Sequence, residues 1–209
     1  MHKENGCRTL KPSVGNMLEN LNKYKVILAS NSPRRKELLS GLGIDYEVKT
    51  LPDIDESFTA GLSEVETASY IACAKADVYR DMMQSDELII TADTIVWLDG
   101  EVMGKPADEE DARRMIRALS GKTHQVITGV CLTTVDAQKA FATVTDVTFC
   151  CLSEEEIDYY VSHYRPMDKA GSYGIQEWIG FVGVESISGS YFNVMGLPIQ
   201  RLYTELKKF

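Results

Sequence analysis

Several charged residues stand where an ordinary solvated side chain has no reason to be. Asp93 lies between two apolar runs, Leu88-Ile89-Ile90 and Ile95-Val96-Trp97-Leu98, where a carboxylate is disfavoured unless it is paired or used. Lys75 falls inside a helical stretch, flanked by Ala74 and Ala76. A lysine between alanines faces solvent by default, but small neighbours also allow close packing around a functional one. Arg34 and Arg35 follow Pro33 in the first turn of a helix, where positive charge opposes the dipole. Glu56, Lys105 and Asp168-Lys169 complete the set. Carboxylates set among lysines and arginines point to Mg²⁺ with phosphate. Mg²⁺ is held by one or two carboxylates plus substrate phosphates, and cations neutralise charge developing on a phosphoryl group. Each residue alone has a plainer reading. Asp93 would be a hydrogen-bonded structural carboxylate, Gly104-Lys105-Pro106 a turn, Glu56 a solvated loop charge, Asp168-Lys169 a surface pair, and Gln176 a polar strand end.

The elements that must position these groups follow from pattern and punctuation. Tyr24 to Ala29 reads as a strand that ends in Ser30-Asn31-Ser32, and Pro33 opens a helix to about Gly41. Proline suits the first helical position because its missing N–H had no partner there. Strand, tight loop and helix N-terminus together make an anion site, to which the two guanidinium forks add phosphate-shaped donors. Solvation of a surface turn is the bland alternative for both arginines. Ile44 to Val48 forms a second strand, and Pro52 to Ser57 an acidic loop. Ser63-Glu64-Val65-Glu66 and Ser153-Glu154-Glu155-Glu156 are capping boxes opening helices to about Met83 and His163. The first of these buries Val65, Ala68, Ile71, Ala72 and Ala76.

Leu88 to Leu98 is the strongest strand, interrupted by Thr91-Ala92-Asp93-Thr94, and Asp99-Gly100 turns it into a hairpin. Asp108 caps a helix to about Leu119. His124 to Val135 and Lys139 to Leu152 form a long hairpin around Asp136-Ala137-Gln138. The glycine-rich stretch from Pro166 to Pro198 reads as short strands with close backbone approaches, and Pro198 opens a terminal helix. The pattern is that of an α/β protein with a mixed sheet, in one or two lobes.

Composition bounds the function. The 209 residues, 44% hydrophobic and 25% charged, match a globular protein. No apolar run spans a bilayer, and Met1 to Cys7 lacks the apolar core of a signal peptide, so a cytoplasmic protein with no membrane partner is expected. The net charge of −9 argues against nucleic-acid binding, though not against a small anionic substrate. Five cysteines without C-x-x-C, and three scattered histidines, suggest neither a zinc site nor a redox dithiol. No Walker A loop and no G-x-G-x-x-G after a strand is present, which argues against P-loop NTPases and kinases. Residues 1–22 are polar and aperiodic and read as a disordered extension before a single domain, 23–209.

Taken in order, the motifs resemble the Maf family of nucleoside triphosphate pyrophosphatases. The resemblance is carried by Ala29-Ser30-Asn31-Ser32-Pro33-Arg34-Arg35, Ala92-Asp93-Thr94, Gly104-Lys105-Pro106 and His124-Gln125-Val126-Ile127-Thr128-Gly129. It continues through Asp168 to Gln176 and Gly189 to Pro198. It implies an elongated mixed α/β sheet flanked by helices, with two lobes around a central cleft, similar to the house-cleaning inosine triphosphate pyrophosphatases. It also implies hydrolysis of an NTP to NMP and pyrophosphate with a divalent metal, Mg²⁺ or Mn²⁺. Asp93 matches the family's proton acceptor, assisted by Lys75 and Lys105. Ser30, Arg34, Arg35, Thr94, Lys169 and Gln176 match substrate-binding positions, with Arg34, Thr94 and Gln176 at the specificity positions. Glu56 and Asp93 are the implied metal ligands. The Gly-Ile-Gln version of the late motif resembles the branch acting on dTTP and UTP. Many relatives are glycine-rich after the glutamine, whereas this chain has Glu177-Trp178-Ile179; Trp178 either stacks on a base or fills the cleft wall. A homodimer is the common assembly of similar proteins. The competing reading is a non-catalytic nucleotide sensor that regulates cell division.

Overall fold

The structure, a computed structural model, describes residues 17–51 and 61–209. Its centre is β3 (Glu87–Leu98), an uninterrupted strand of 12 residues. On one edge β3 pairs antiparallel with β5 (Thr123–Thr133) without a break from Ile89↔Thr133 to Trp97↔Gln125. Its other edge is shared. β1 (Lys25–Leu28) runs parallel to its first part, ending at Leu28↔Ile90. β4 (Glu101–Met103) folds back along its last part, ending at Val96↔Met103. Between those ends, Thr91 to Ile95 have no strand beside them on that edge. β2 (Glu47–Val48) flanks β1, while β6 (Gln138–Phe149) and β7 (Val184–Ser188) extend the sheet beyond β5, giving seven strands in the order β2-β1-β3-β5-β6-β7 with β4 to the side. The sheet is mixed: β1 runs parallel to its neighbours, and the other pairs are antiparallel.

Side chains of β3 alternate between the faces, as a pleated strand requires. Leu88, Ile90, Ala92 and Val96 enter the larger core. It is completed by α1 (Pro33–Ser40), α3 (Glu109–Leu119), α4 (Glu154–Tyr164) and α7 (Ile199–Leu206). Ile89 and Ile95 face α2 (Glu64–Arg80), against Tyr79 and against Ala68 and Ile71. Thr91, of the same parity, donates its hydroxyl to the Ala72 carbonyl of α2 at 2.7 Å. Asp93 shares that parity, so its carboxylate belongs to the α2 face.

Local sequence explains the helix starts. Both capping boxes form, at Ser63–Glu66 and Ser153–Glu156. Ser32 caps α1, with Pro33 at its first position. Asp99 and Gly100 take the left-handed conformations (φ 53° and 92°) of the tight β3–β4 hairpin.

Four expectations are corrected. The polar Thr91–Thr94 segment does not interrupt β3; what stops there is the pairing on one edge. Val65 is exposed, since it lies on the solvent side of α2's first turn. The stretch from Pro166 to Pro198 holds one strand, β7, and otherwise short helical turns, including α5 (Trp178–Val182) and α6 (Tyr191–Met195), because its glycines serve close packing rather than strand pairing. Residues 17–22, read as part of the extension, include Leu18 and Leu21 packed into the core, and Asn20 donates to the Leu206 carbonyl at 2.7 Å. Residues 1–16 and the acidic loop at 52–57 lie outside the described residues. No described helix is long and apolar enough to cross a membrane.

Candidate functional site

The break in pairing on β3 creates the site. β1 and β4 both end at its borders, so the chain leaving each, Ala29–Ser32 and Gly104–Lys105, emerges beside Ala92-Asp93-Thr94. These segments line a cleft of about 680 Å³, within the range of roughly 300–1,000 Å³ of small-molecule sites. A third segment closes it. Gly171 donates its N–H to the Gly104 carbonyl at 3.0 Å and takes φ 65°, where a Cβ would sit 2.8 Å from a Val96 methyl. That contact brings Lys169, Gly174 and Gln176 into the wall.

Lys75 reaches the cleft from α2. Its Nζ donates to Asp93 Oδ1 at 2.6 Å, and its residue exposure is 8%. The helix turns the side chain onto the sheet face that period-two parity assigned to Asp93, so the default of a solvent-facing lysine does not hold. Lysine and carboxylate side chains are 11% and 14% exposed, a depth at which an unpaired charge is costly.

The two arginines differ. Arg34 Nη1 donates to Asp168 Oδ2 at 3.0 Å across the cleft mouth. Arg35 is bound into the fold. Its Nε donates to the Gly196 carbonyl at 2.8 Å, Nη1 to the Ala92 carbonyl at 2.8 Å, and Nη2 to Thr94 Oγ1 at 3.1 Å. Thr128 spends its hydroxyl hydrogen on the Asn193 carbonyl at 3.0 Å. Thr94 therefore donates to Thr128 at 2.9 Å and accepts from Arg35.

Lys169 is 8% exposed. Its Nζ lies 2.8 Å from Asp168 Oδ1 and 3.1 Å from Glu177 Oε1. Burial pushes the Asp168 carboxyl up, but hydrogen bonds from Lys169 and Arg34 outweigh it and hold the group below its ordinary value. Gln176 keeps Oε1 buried without a partner among the described residues. Ser30 Oγ accepts the Ser32 N–H at 3.2 Å and braces the loop. Lys105 is exposed at the cleft edge.

Asp93, Lys75, Lys105, Ser30, Arg34, Arg35, Thr94, Lys169 and Gln176 thus all line one cleft; Glu56 lies outside the described residues. Trp178 packs on α4, its ring edge-on to Tyr159 at 4.8 Å between centroids, and it is not among the residues that line the cleft, so it neither stacks on a bound base nor forms the cleft wall. The sequence reading missed Tyr160, whose hydroxyl bonds Glu177, and the Thr128–Asn193 support. Tyr160 shows in the sequence as one more apolar position of an amphipathic helix, with no signal for its hydroxyl.

The family model described as Maf-like protein matches residues 25–209. A Phocaeicola vulgatus protein named dTTP/UTP pyrophosphatase is 75% identical over 192 residues, covering 92% of this chain and 100% of the relative. A Bacteroides thetaiotaomicron protein of the same name is 67% identical over 192 residues, again covering 92% and 100%. The solved structure of a HAM1 protein from Coxiella burnetii aligns with 19% identity and a TM-score of 0.44, covering 89% of this chain and 100% of that one. On the extent of the family match and the 75% and 67% identities, the chain belongs to the Maf family.

Proposed function

We propose that this protein hydrolyses dTTP and UTP to the monophosphate and pyrophosphate. The observation that carries the reading is the Lys75–Asp93 pair at the break in β3, facing Arg34, Lys105 and Lys169 across one cleft. The names of the close relatives support the substrate class.

In this reading a water molecule attacks the triphosphate and gives up a proton to Asp93. Lys75 holds Oδ1, which orients the carboxylate so that Oδ2 meets the water. The α–β phosphoanhydride breaks, the water oxygen stays on phosphorus, and pyrophosphate leaves with the bridging oxygen. Arg34, Lys105 and Lys169 hold the phosphates and offset the charge that builds on the departing group. Arg35 and Thr94 act one step back, fixing the loop and the strand that carry Arg34 and Asp93.

A divalent metal fits the residues present. Asp93 would supply a hard oxygen ligand of the kind Mg²⁺ takes alongside substrate phosphates; Glu56, the second carboxylate implied by the family resemblance, lies outside the described residues. When bound, the metal would polarise the phosphoryl oxygens and lower the pKa of a bound water.

Gln176 supports a pyrimidine. It lines the cleft, and its amide, with both a donor and an acceptor, matches the N3–H and carbonyl edge of thymine or uracil once the side chain turns to meet the base.

Assay of the purified protein with Mg²⁺ or Mn²⁺ tests the reading. Pyrophosphate release from dTTP and UTP is expected, and Asp93→Asn should abolish it. Nucleotide binding by calorimetry without any turnover would favour the sensor instead.

A further inference from the structure

Lys169 is a buried ammonium, and the structure gives it two carboxylates on different sides. Asp168 is exposed in the cleft wall, with 57% of its side chain accessible, and it bridges Lys169 and Arg34. It occupies an anion's place between two cations, so an entering triphosphate competes with it for both. Glu177 approaches from the core side. One oxygen lies 3.1 Å from Lys169 Nζ, and the other accepts the hydroxyl hydrogen of Tyr160. The Tyr160 residue is fully buried. Its hydroxyl oxygen accepts the Gly174 N–H at 3.0 Å, and the Glu177 N–H donates to the Gly174 carbonyl at 2.9 Å. The turn from Gly174 to Glu177 is therefore pinned at both ends, with Lys169 held by the same carboxylate.

We propose that Glu177, held by Tyr160, is a positioning residue for the phosphate site: it keeps Lys169 anchored and directed into the cleft when the substrate displaces Asp168. The proposal rests on the reading of Lys169 as a phosphate ligand. A carboxylate in contact with a buried ammonium replaces the water that the ammonium loses. Without it, Lys169 would be left with Asp168 as its one carboxylate contact among the described residues, and that is the group the substrate must displace.

The test is steady-state pyrophosphate release from dTTP with Mg²⁺, alongside thermal melting. Glu177→Gln keeps an acceptor for Tyr160 and removes the charge. It should raise KM about tenfold, the scale of a hydrogen bond to a charged group, with kcat within about twofold, as expected when ground-state binding is lost. Lys169→Ala should raise KM at least as much, and the double variant should match Lys169→Ala alone, because the two act as one unit. Tyr160→Phe is the milder probe and should raise KM about threefold, the scale of a neutral hydrogen bond. A role in folding alone would lower the active fraction, and so kcat, without moving KM. An unaltered KM in Glu177→Gln and Tyr160→Phe, or effects of Glu177→Gln and Lys169→Ala that multiply, would overturn the proposal. If Lys169→Ala itself left KM unaltered, the phosphate-site reading of Lys169 would fall with it. A raised KM in Lys169→Ala alone would sink only the role of Glu177.

Discussion

Arg35 Nη1 donates to the Ala92 carbonyl at 2.8 Å, at a point on β3 where no neighbouring strand remains to bond it. A side chain from α1 thus takes the place of a strand. The same guanidinium reaches Thr94 two residues on and Gly196 after α6. Two separate segments, β3 and the turn after α6, meet on one planar fork, and the residue between its two β3 contacts is Asp93.

Arg35→Ala should therefore act on stability first. It leaves a backbone carbonyl without its donor and removes a charged group from two further acceptors, at a cost of about 2–4 kcal/mol. Urea denaturation should show a lower midpoint with an unchanged slope. A variant with wild-type stability and selectively lost nucleotide binding would place Arg35 at the substrate instead.

Arg34→Ala should do the opposite. Its ion pair is with a carboxylate whose side chain is 57% exposed, and such pairs contribute roughly 0–1 kcal/mol. The melting temperature should barely move, while KM for dTTP rises about tenfold as a charged phosphate contact is lost. Equal activity of wild type and variant across dTTP, UTP and CTP would remove Arg34 from the substrate site.

The polar break at Thr91–Thr94 was visible in the sequence, but its meaning was not. Alternation of apolar residues reports burial on the faces of a strand. It carries no information on which edge is paired. The ladder to β5 runs straight through Asp93, and only the β1/β4 edge is open. Lys75, Asp93 and Lys105 were legible as misplaced charges. The caps of α2 and α4 were legible because Ser63 and Ser153 act within three residues of themselves. Contacts such as Arg35 with Ala92, or Tyr160 with Glu177, join distant segments, and nothing local marks them. The glycine-rich stretch misled for a related reason. A Cβ at Gly180 would sit 1.8 Å from the Ile175 carbonyl oxygen, so that glycine permits a tight helical turn rather than a strand.

Acid should weaken the fold first through His124. The residue is 2% exposed, and burial lowers its imidazole from 6.5 to about 4. Nε2 meets the Tyr173 hydroxyl at 2.7 Å, and Nδ1 is buried without a partner among the described residues. The unfolded chain takes up a proton here below about pH 6.5, and the folded protein does so only near pH 4. The unfolded state thus binds more protons across that window, and stability falls as pH drops through it, by about 3 kcal/mol in total. His124→Gln should flatten this part of the stability–pH curve. An unchanged slope in the variant between pH 6.5 and 4 would assign the acid sensitivity to other groups.

Gly129 sets how closely α2 lies on the sheet. It pairs directly with Asp93 in the β3–β5 ladder, and a Cβ there would fall 2.1 Å from the Ala68 carbonyl oxygen and 2.3 Å from its carbon. Those are backbone atoms of α2, so relief requires the helix itself to shift. Ala68, Ile71, Ala72 and Lys75 share the buried face of that helix. Lifting the helix at Ala68 draws Lys75, two turns on, away from Asp93. Gly129→Ala should cost about 1–3 kcal/mol as an overpacked site, and turnover should fall further than the loss of folded protein explains, because the Lys75–Asp93 contact at 2.6 Å is lengthened. Measuring kcat at a temperature where melting curves show the variant fully folded separates the two effects. Full activity there would mean that α2 accommodates the methyl group without moving Lys75.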